Sequence, residues 1–394
     1  MKKIVLHTSS FVWVNNGEGL IYNVENNRRL VFSLDDPGIR EACDCFLDID
    51  NLYSAKYDEK TASARFTFFL DELQRLDLGV IVDDVNAPIV SIPPVLKVKH
   101  GVENLHFWRG DLTTSPVLPY LFHLRVFLGG KCEDNSKWIQ SPYPMPSEKK
   151  LEAERLLSYM SSGDERFFTG IDLVISEWDP RQISSFVEGL KDRKDDVRFF
   201  FANSDPGFNN EILNGLTAEG FAITQVCPPD ASLEKVSWVS GRNYQLLVKS
   251  DAEAENWESL LQDAEDVNYD FKPLADNNLE FFRENVFLSE EDILSQKLSK
   301  KDIFRHQALN ANQFGTFYVF PDGTIHPATD APAVGTLEDS VHQTIIRELE
   351  QNYAWRQTRR LMEPCKNCLY HDLCPSPSVY ERIFGVPGCT YWQE

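Results

Sequence analysis

Between residue 124 and about residue 290 the chain repeats one pattern six times: a short, almost uninterrupted apolar run, then a segment with helical spacing. The runs are Leu124–Leu128, Ile171–Ser176, Val197–Ala202, Phe221–Val226, Tyr244–Val248 and Val267–Lys272. A strand with one wet face alternates polar and apolar residues. A strand that is apolar on both sides is buried on both, as in a parallel sheet crossed by helices. The intervening segments agree: Ile183, Phe186, Val187 and Leu190 share one helical face, as do Trp257, Leu260 and Leu261. Six such units predict an α/β fold built on a partial (β/α)6 barrel, whose chemistry gathers at the C-terminal ends of its strands.

The flanks read differently. Residues 1–85 predict a small α+β module. Phe11–Val14 and Leu20–Tyr22 flank Asn15-Asn16-Gly17, a hairpin turn, and Arg29–Ser33 supplies a third strand. Asp36-Pro37 starts a helix with Ile39, Ala42, Cys43 and Phe46 on one face. A second helix carries Phe66, Phe69, Leu70, Leu73 and Leu76, with Gly79 as its stop and Val80–Val82 as a wing strand. Residues 86–120, with the Pro-rich Pro88–Pro94, form a linker. The barrel then occupies 121–314. The last segment, 315–394, opens with a hairpin, Thr316–Phe320 and Thr324–His326 around Pro321-Asp322-Gly323, followed by a helix near Val341–Tyr353.

The formal charge of −22 repels phosphate backbones and suits a basic peptide or protein. No apolar run reaches the roughly 18 residues that cross a bilayer. In MKKIVLHTSS, residues His7 to Ser10 interrupt any signal-like apolar stretch. The expectation is a cytoplasmic protein that binds neither nucleic acid nor membrane.

Four of the eight cysteines, Cys365, Cys368, Cys374 and Cys389, crowd the last 30 residues as C-x2-C-x5-C-x14-C. In a reducing compartment this points to metal ligation rather than disulfides. Four thiolates fill a zinc site or hold a four-iron cluster, and spacing does not choose between them. His371, between two of these cysteines, could ligate zinc but is read as a solvated or hydrogen-bonding residue. No phosphate loop, nucleophile elbow or HExxH helix is present.

The tail PCKNCLYHDLCPSPS…GC resembles the SPASM domain of radical-SAM peptide maturases. FPDGTIHP is similar to that domain's DGxxxPC element, with Ala328 where the cysteine belongs. Ser378 stands four positions after the third tail cysteine, where the family has another. The upstream cysteine expected near Asn310 to Asn312 is absent. The resemblance therefore implies one auxiliary 4Fe-4S cluster, with zinc as the alternative, on Cys365, Cys368, Cys374 and Cys389.

The start of the barrel resembles the radical-SAM family too. HLRVFLGG leads to Cys132, followed by Ser136 and Ile139 where CxxxCxxC has its second and third cysteines. Trp138 keeps the aromatic before the third. One thiolate cannot hold the catalytic cluster, so no S-adenosylmethionine is expected. Glu177-Trp178-Asp179-Pro180 stands in place of Gly-Gly-Glu-Pro, and both Glu177 and Trp178 are expected to obstruct the pocket.

The N-terminal module resembles the small winged-helix peptide-recognition domain that captures leader peptides by strand addition, which implies a winged-helix-like α+β fold for residues 1–85. This implies peptide contacts along Arg29, Leu30, Val31, Phe32 and Ser33. Together these features are similar to the pseudo-radical-SAM proteins of Bacteroidales-type ribosomal-peptide systems. The implied function is a non-catalytic subunit that binds a precursor leader, a catalytic radical-SAM maturase, or both. A redox enzyme using only the C-terminal cluster and a zinc-stabilised structural protein are the alternatives.

Overall fold

The computed structural model describes residues 1–84, 91–94, 123–131, 137–163, 168–202, 210–229, 238–239, 241–262 and 267–391. Of the linker expected over 86–120, only residues 91–94 are among them. The chain divides into two compact units. One comprises Met1–His100, Ser289–Leu309 and Thr358–Ser376; the other comprises Gly101–Leu288, Asn310–Gln357 and Pro377–Glu394.

The first unit begins with β1 (Lys2–Leu6), β2 (Ser10–Asn15), β3 (Glu18–Asn23), β4 (Arg29–Ser33), α1 (Pro37–Leu47), β5 (Ser54–Tyr57), α2 (Ala64–Arg75) and β6 (Gly79–Asp83). The hairpin between β2 and β3 turns on Asn16 and Gly17, at φ 49° and 85°. Two successive left-handed residues make the tight turn whose twist matches the flanking strands. β4 then pairs antiparallel with β3, giving the sheet β2-β3-β4. A second antiparallel sheet, β5-β1-β6, has β1 at its centre.

The sequence pattern indicates neither β1 nor β5. In β1 the consecutive residues Ile4, Val5 and Leu6 are all buried, so no alternation marks it. The two helices bury the expected residues, Ile39, Ala42, Cys43 and Phe46 from α1 and Phe66, Phe69, Leu70 and Leu73 from α2, in one core. Gly79 does not stop α2. Asp77, at φ 51°, turns the chain, and Gly79 opens β6 where an added Cβ would lie 2.6 Å from the Val5 carbonyl.

Two further helices belong to this unit, Glu290–Ser295 and Lys300–Ala308, each closed by a serine capping box. They are tied to the hairpin sheet. Tyr22 Oη accepts the Leu298 N–H at 3.1 Å, Arg29 donates to the Leu294 carbonyl at 2.8 Å, and Phe11 meets Phe304 edge-on.

The second unit carries all six expected strands, with ends shifted by at most one residue. They are β7 (His123–Phe127), β8 (Gly170–Ile175), β9 (Val197–Ala202), β10 (Ala222–Cys227), β11 (Asn243–Val248) and β12 (Asn268–Pro273). Each lies parallel beside its predecessor. The expected hairpin forms β13 (Thr316–Val319) and β14 (Thr324–His326), and β13 also pairs in parallel with β7. With β15 (Gly335–Thr336) this makes a nine-stranded, mostly parallel sheet in the order β12-β11-β10-β9-β8-β7-β13-β14-β15.

One face of this sheet is covered by helices: Leu124, Val126, Leu173, Phe199 and Phe201 pack with Leu156, Ile183, Phe186 and Ile345. The opposite face gathers Phe127, Val174, Phe200, Val226, Leu247 and Tyr318. Among the described residues no helix is long and apolar enough to cross a membrane.

Candidate functional site

The outer edge of β4 is the first candidate, because among the described residues no strand pairs with it there. Its hydrogen-bonding register follows from two bonds at its ends. The Leu34 N–H donates to Gly17 and the Asn23 N–H to Arg28, in the same register that sets Phe32 opposite Gly19 and Leu30 opposite Ile21. Hydrogen-bonded pairs recur every second residue in an antiparallel ladder. Leu30 and Phe32 therefore bond to β3, while the backbone groups of Arg29, Val31 and Ser33 face outward.

Beside this edge lies a groove of about 500 Å³, lined by β4, the start of α1 and the start of α2. Val31 is 44% and Phe68 66% exposed on its walls, a large apolar surface to leave in water. Phe32 sits edge-on to Phe69 at 4.9 Å and depends on Gly19, where an added Cβ would come within 2.3 Å of the Phe32 ring.

One carboxylate fixes both helix starts at the groove. Asp36 Oδ1 accepts the N–H groups of Gly38 and Ile39 at 2.8 and 3.1 Å, capping α1. Its Oδ2 accepts from Ser63 Oγ at 2.5 Å, and Ser63 caps α2. The Ser63 hydrogen bond, followed by those two backbone donors, holds the Asp36 carboxyl below its ordinary pKa. Of the two helix residues expected beside a peptide, Phe69 lines the groove and Phe66 is buried in the core instead, while Phe68, whose exposure no periodicity reveals, was missed.

The second candidate is the cysteine loop of the first unit. Cys365, Cys368 and Cys374 are buried and none is in a disulfide. Arg359 Nη1 points at the Cys365 sulfur at 3.5 Å and the Tyr370 N–H at the Cys368 sulfur at 3.4 Å. Cys389 belongs to the second unit, also buried, at a bridge with Leu288. Buried thiols receiving N–H donors are donor chemistry that fits a thiolate-bound group. Among the described residues no three His, Cys, Asp or Glu side chains are grouped so as to hold a metal ion, and no coordination geometry is assigned.

Within the loop Asp372 is fully buried. Its carboxylate accepts from Trp13 Nε1 at 2.7 Å, Gln307 Nε2 at 2.8 Å and Arg360 Nε at 2.7 Å. Burial works against its charge, but Arg360, His371 and Trp13 outweigh that and keep its pKa below the ordinary value. His371 is hydrogen-bonded, as expected, to the Cys368 carbonyl at 2.6 Å. No sequence signal points to the Trp13–Asp372 pair, whose members lie 359 residues apart.

The positions where the family has further cysteines do other work in the second unit. Ala328 is buried in the helix-covered core. Ser378 caps the helix Val379–Phe384 through a capping box. Asn310 and Asn312 both donate to the Pro377 carbonyl.

At the end of β7, Cys132 and Ser136 lie outside the described residues. Ile139 is partly buried, and its carbonyl accepts from Thr329 at 3.3 Å. Trp138 forms an edge-to-face triangle with Phe127 and Phe320 on the opposite face of the sheet, with ring separations of 5.6–6.0 Å. Glu177 packs over Gly130, where a Cβ would meet the Glu177 Cβ at 2.7 Å, and its carboxylate accepts the Lys131 N–H at 3.4 Å. Trp178 is partly buried and packs against the helix-covered core, immediately before Asp179, which caps the helix Pro180–Leu190.

Asp172 is a further residue the sequence reading missed. It lies fully buried on β8 and accepts from His123 Nε2 at 2.7 Å, from Arg125 on β7 and from Arg198 on β9. Arg125 and Arg198 are its direct register neighbours. A lone charge in each of three consecutive apolar runs, alternating in sign, was the available signal.

No family model matches the chain, and no curated protein matches it. Among solved structures the chain is similar to Streptococcus suis SuiB bound to precursor peptide SuiA, at 10% identity and a TM-score of 0.41, covering 97% of each chain. It is also similar to BtrN in an open conformation, at 12% identity and a TM-score of 0.32, over 62% of this chain and 91% of that one. A third likeness is BtrN in complex with AdoMet and 2-DOIA, at 13% identity and a TM-score of 0.32, over 64% of this chain and 90% of that one. Scores this low carry no weight by themselves.

Proposed function

We propose that the chain is a peptide-binding subunit in the maturation of a ribosomally made peptide, with the body of a radical-SAM enzyme but not its catalytic cluster. The observation that carries this reading is the open edge of β4 beside an apolar groove. An extended leader peptide adds there as a fourth strand. The outward groups of Arg29, Val31 and Ser33 supply main-chain hydrogen bonds, and the groove at Phe68 and Phe69 accepts alternate side chains. The charge of −22 favours a basic leader, or a basic face on a catalytic radical-SAM maturase, in the cytoplasm.

The six parallel strands are the support for a partial (β/α)6 barrel of radical-SAM type. Ser136 and Ile139 support the non-catalytic role, since Cys132 alone cannot hold a cluster that needs three thiolates. In a SPASM-like C-terminal domain, Cys365, Cys368, Cys374 and Cys389 would hold one 4Fe-4S cluster. When bound, such a centre supplies a cross-link that couples metal binding to folding of the loop.

Titration of the full chain with the precursor peptide tests the reading. Micromolar binding is expected. Val31→Pro should weaken it about tenfold by deleting an outward N–H, with the thermal midpoint kept, because that N–H serves no internal bond. If the precursor does not bind, or binds Val31→Pro as tightly as the wild type, the strand-addition reading is wrong.

A further inference from the structure

The six residues from the last position of α1 onward, Leu47-Asp48-Ile49-Asp50-Asn51-Leu52, combine exposed apolar groups, a left-handed backbone and carboxylates with no paired cation among the described residues. Leu47, Ile49 and Leu52 are 54%, 51% and 42% exposed within one turn of chain. Exposed apolar groups are ordinary one at a time, whereas three within six residues leave a concentrated apolar surface of the kind found at interaction sites. Leu52 and Tyr53 are both left-handed, at φ 51° and 58°. Successive non-glycine residues in that region are strained, and such strain concentrates at functional positions. Tyr53 has a structural reason for it, since its buried ring meets Phe46 and its hydroxyl reaches the Ser10 carbonyl. Leu52 is the left-handed cap that closes the turn Ile49–Asn51, its N–H donating to the Ile49 carbonyl at 3.1 Å, while its side chain is displayed to water.

The charges add the third feature. Asp44 and Asp48 lie at the C-terminal end of α1, which has no basic residue in its last turn. The negative end of a helix is an unfavourable place for carboxylates. Among the described residues no cation pairs with Asp44, Asp48 or Asp50, although many other surface acids are paired.

We infer that this acidic, apolar knob is the docking surface for a protein partner that presents an apolar socket rimmed by lysine or arginine. Such a rim would neutralise the three aspartates and the helix terminus together, while the socket would bury the three aliphatic side chains. A second copy of this chain is a poor occupant, because two acidic knobs on two chains of charge −22 repel. An anionic membrane surface repels it likewise.

The placement suits an adaptor. Ile39, at the start of α1, lines the groove, and Leu47 ends the same helix about 12 Å further along its axis at 1.5 Å per residue. A partner seated on the knob leaves the groove open to a peptide.

The choice of probe rests on the function proposed above: a radical-SAM peptide maturase from the same genome, titrated against the full chain at low and high salt. Salt-sensitive binding is expected. Replacing Leu47, Ile49 and Leu52 together by serine, or Asp44 and Asp50 together by lysine, should weaken maturase binding at least about tenfold. Affinity for the precursor leader should stay unchanged. Leu52→Gly should raise the thermal midpoint by about 2 °C or more while weakening maturase binding, because glycine relaxes the backbone and removes the contact.

The inference is overturned if wild type does not bind the maturase, if the serine and lysine variants bind it as tightly as wild type, or if the same substitutions abolish self-association instead. Loss of leader binding in wild type, with knob-dependent maturase binding kept, would sink the peptide reading and leave this one standing.

Discussion

Asp172 has no exposed surface, yet it stays charged because three neighbours hold it so. Burial alone would push its carboxyl up. The His123 hydrogen bond, then Arg125 and Arg198, outweigh burial and bring the pKa below the ordinary value. A carboxyl depressed on folding contributes stability that is complete above the unfolded value, about 3.9, and is lost as the pH falls through the lower folded value. Asp172→Asn should cost about 3 kcal/mol at neutral pH, since it leaves two guanidinium groups beside a buried amide. Urea unfolding at neutral pH and at acid pH checks both points: the variant should be weaker at neutral pH and lose less stability on acidification. If the two chains are equally stable at neutral pH, the ion-pair cluster contributes nothing. At this scale the sequence names residues but not directions. Arg29–Ser33 was legible as a strand, whereas the outward orientation of the Val31 N–H came from its register with β3.

Elements were legible where their signals are local. Asp36-Pro37 announces a helix start because a capping carboxylate and a proline at the first position both act within one turn. What could not be read is that Asp36 also binds Ser63, the cap of α2. Asp36→Ala should therefore lose the cap of α1 and the hydrogen bond that holds Ser63 at the start of α2, about 2 kcal/mol in thermal or urea unfolding. It should also weaken precursor binding, because both helix starts line the groove. Asp36→Asn should retain most of the stability, since an amide oxygen still accepts from Gly38 and Ile39. Equal losses for the two variants would show that charge, not capping, is what matters. The strands β1 and β5 escaped because neither alternates and each pairs only with residues far away in sequence. The β13–β14 hairpin was legible from its Pro-Asp-Gly turn, but its pairing with β7 was not.

For the molecule as a whole, the discriminating measurement is chemical. Purified and reconstituted without oxygen, the chain should contain about four irons with matching sulfide and should not cleave S-adenosylmethionine to 5′-deoxyadenosine. Stoichiometric zinc without iron would exchange the cluster for a structural ion. Turnover that disappears in Cys132→Ala would overturn the non-catalytic reading. The order of the six parallel strands was written in the sequence, because apolar runs separated by helical periodicity are local patterns, and crossover helices set each strand beside its predecessor. The caps, the tight turn and the clustered tail cysteines were written there for the same reason. Only the tertiary structure decided that Trp13 meets Asp372, that Trp178 packs on the helix-covered core, and that β4 is the last strand of its sheet among the described residues, beside exposed Val31 and Phe68. Those outcomes depend on which distant surfaces meet, and a contact across hundreds of residues leaves no periodicity in the chain that makes it.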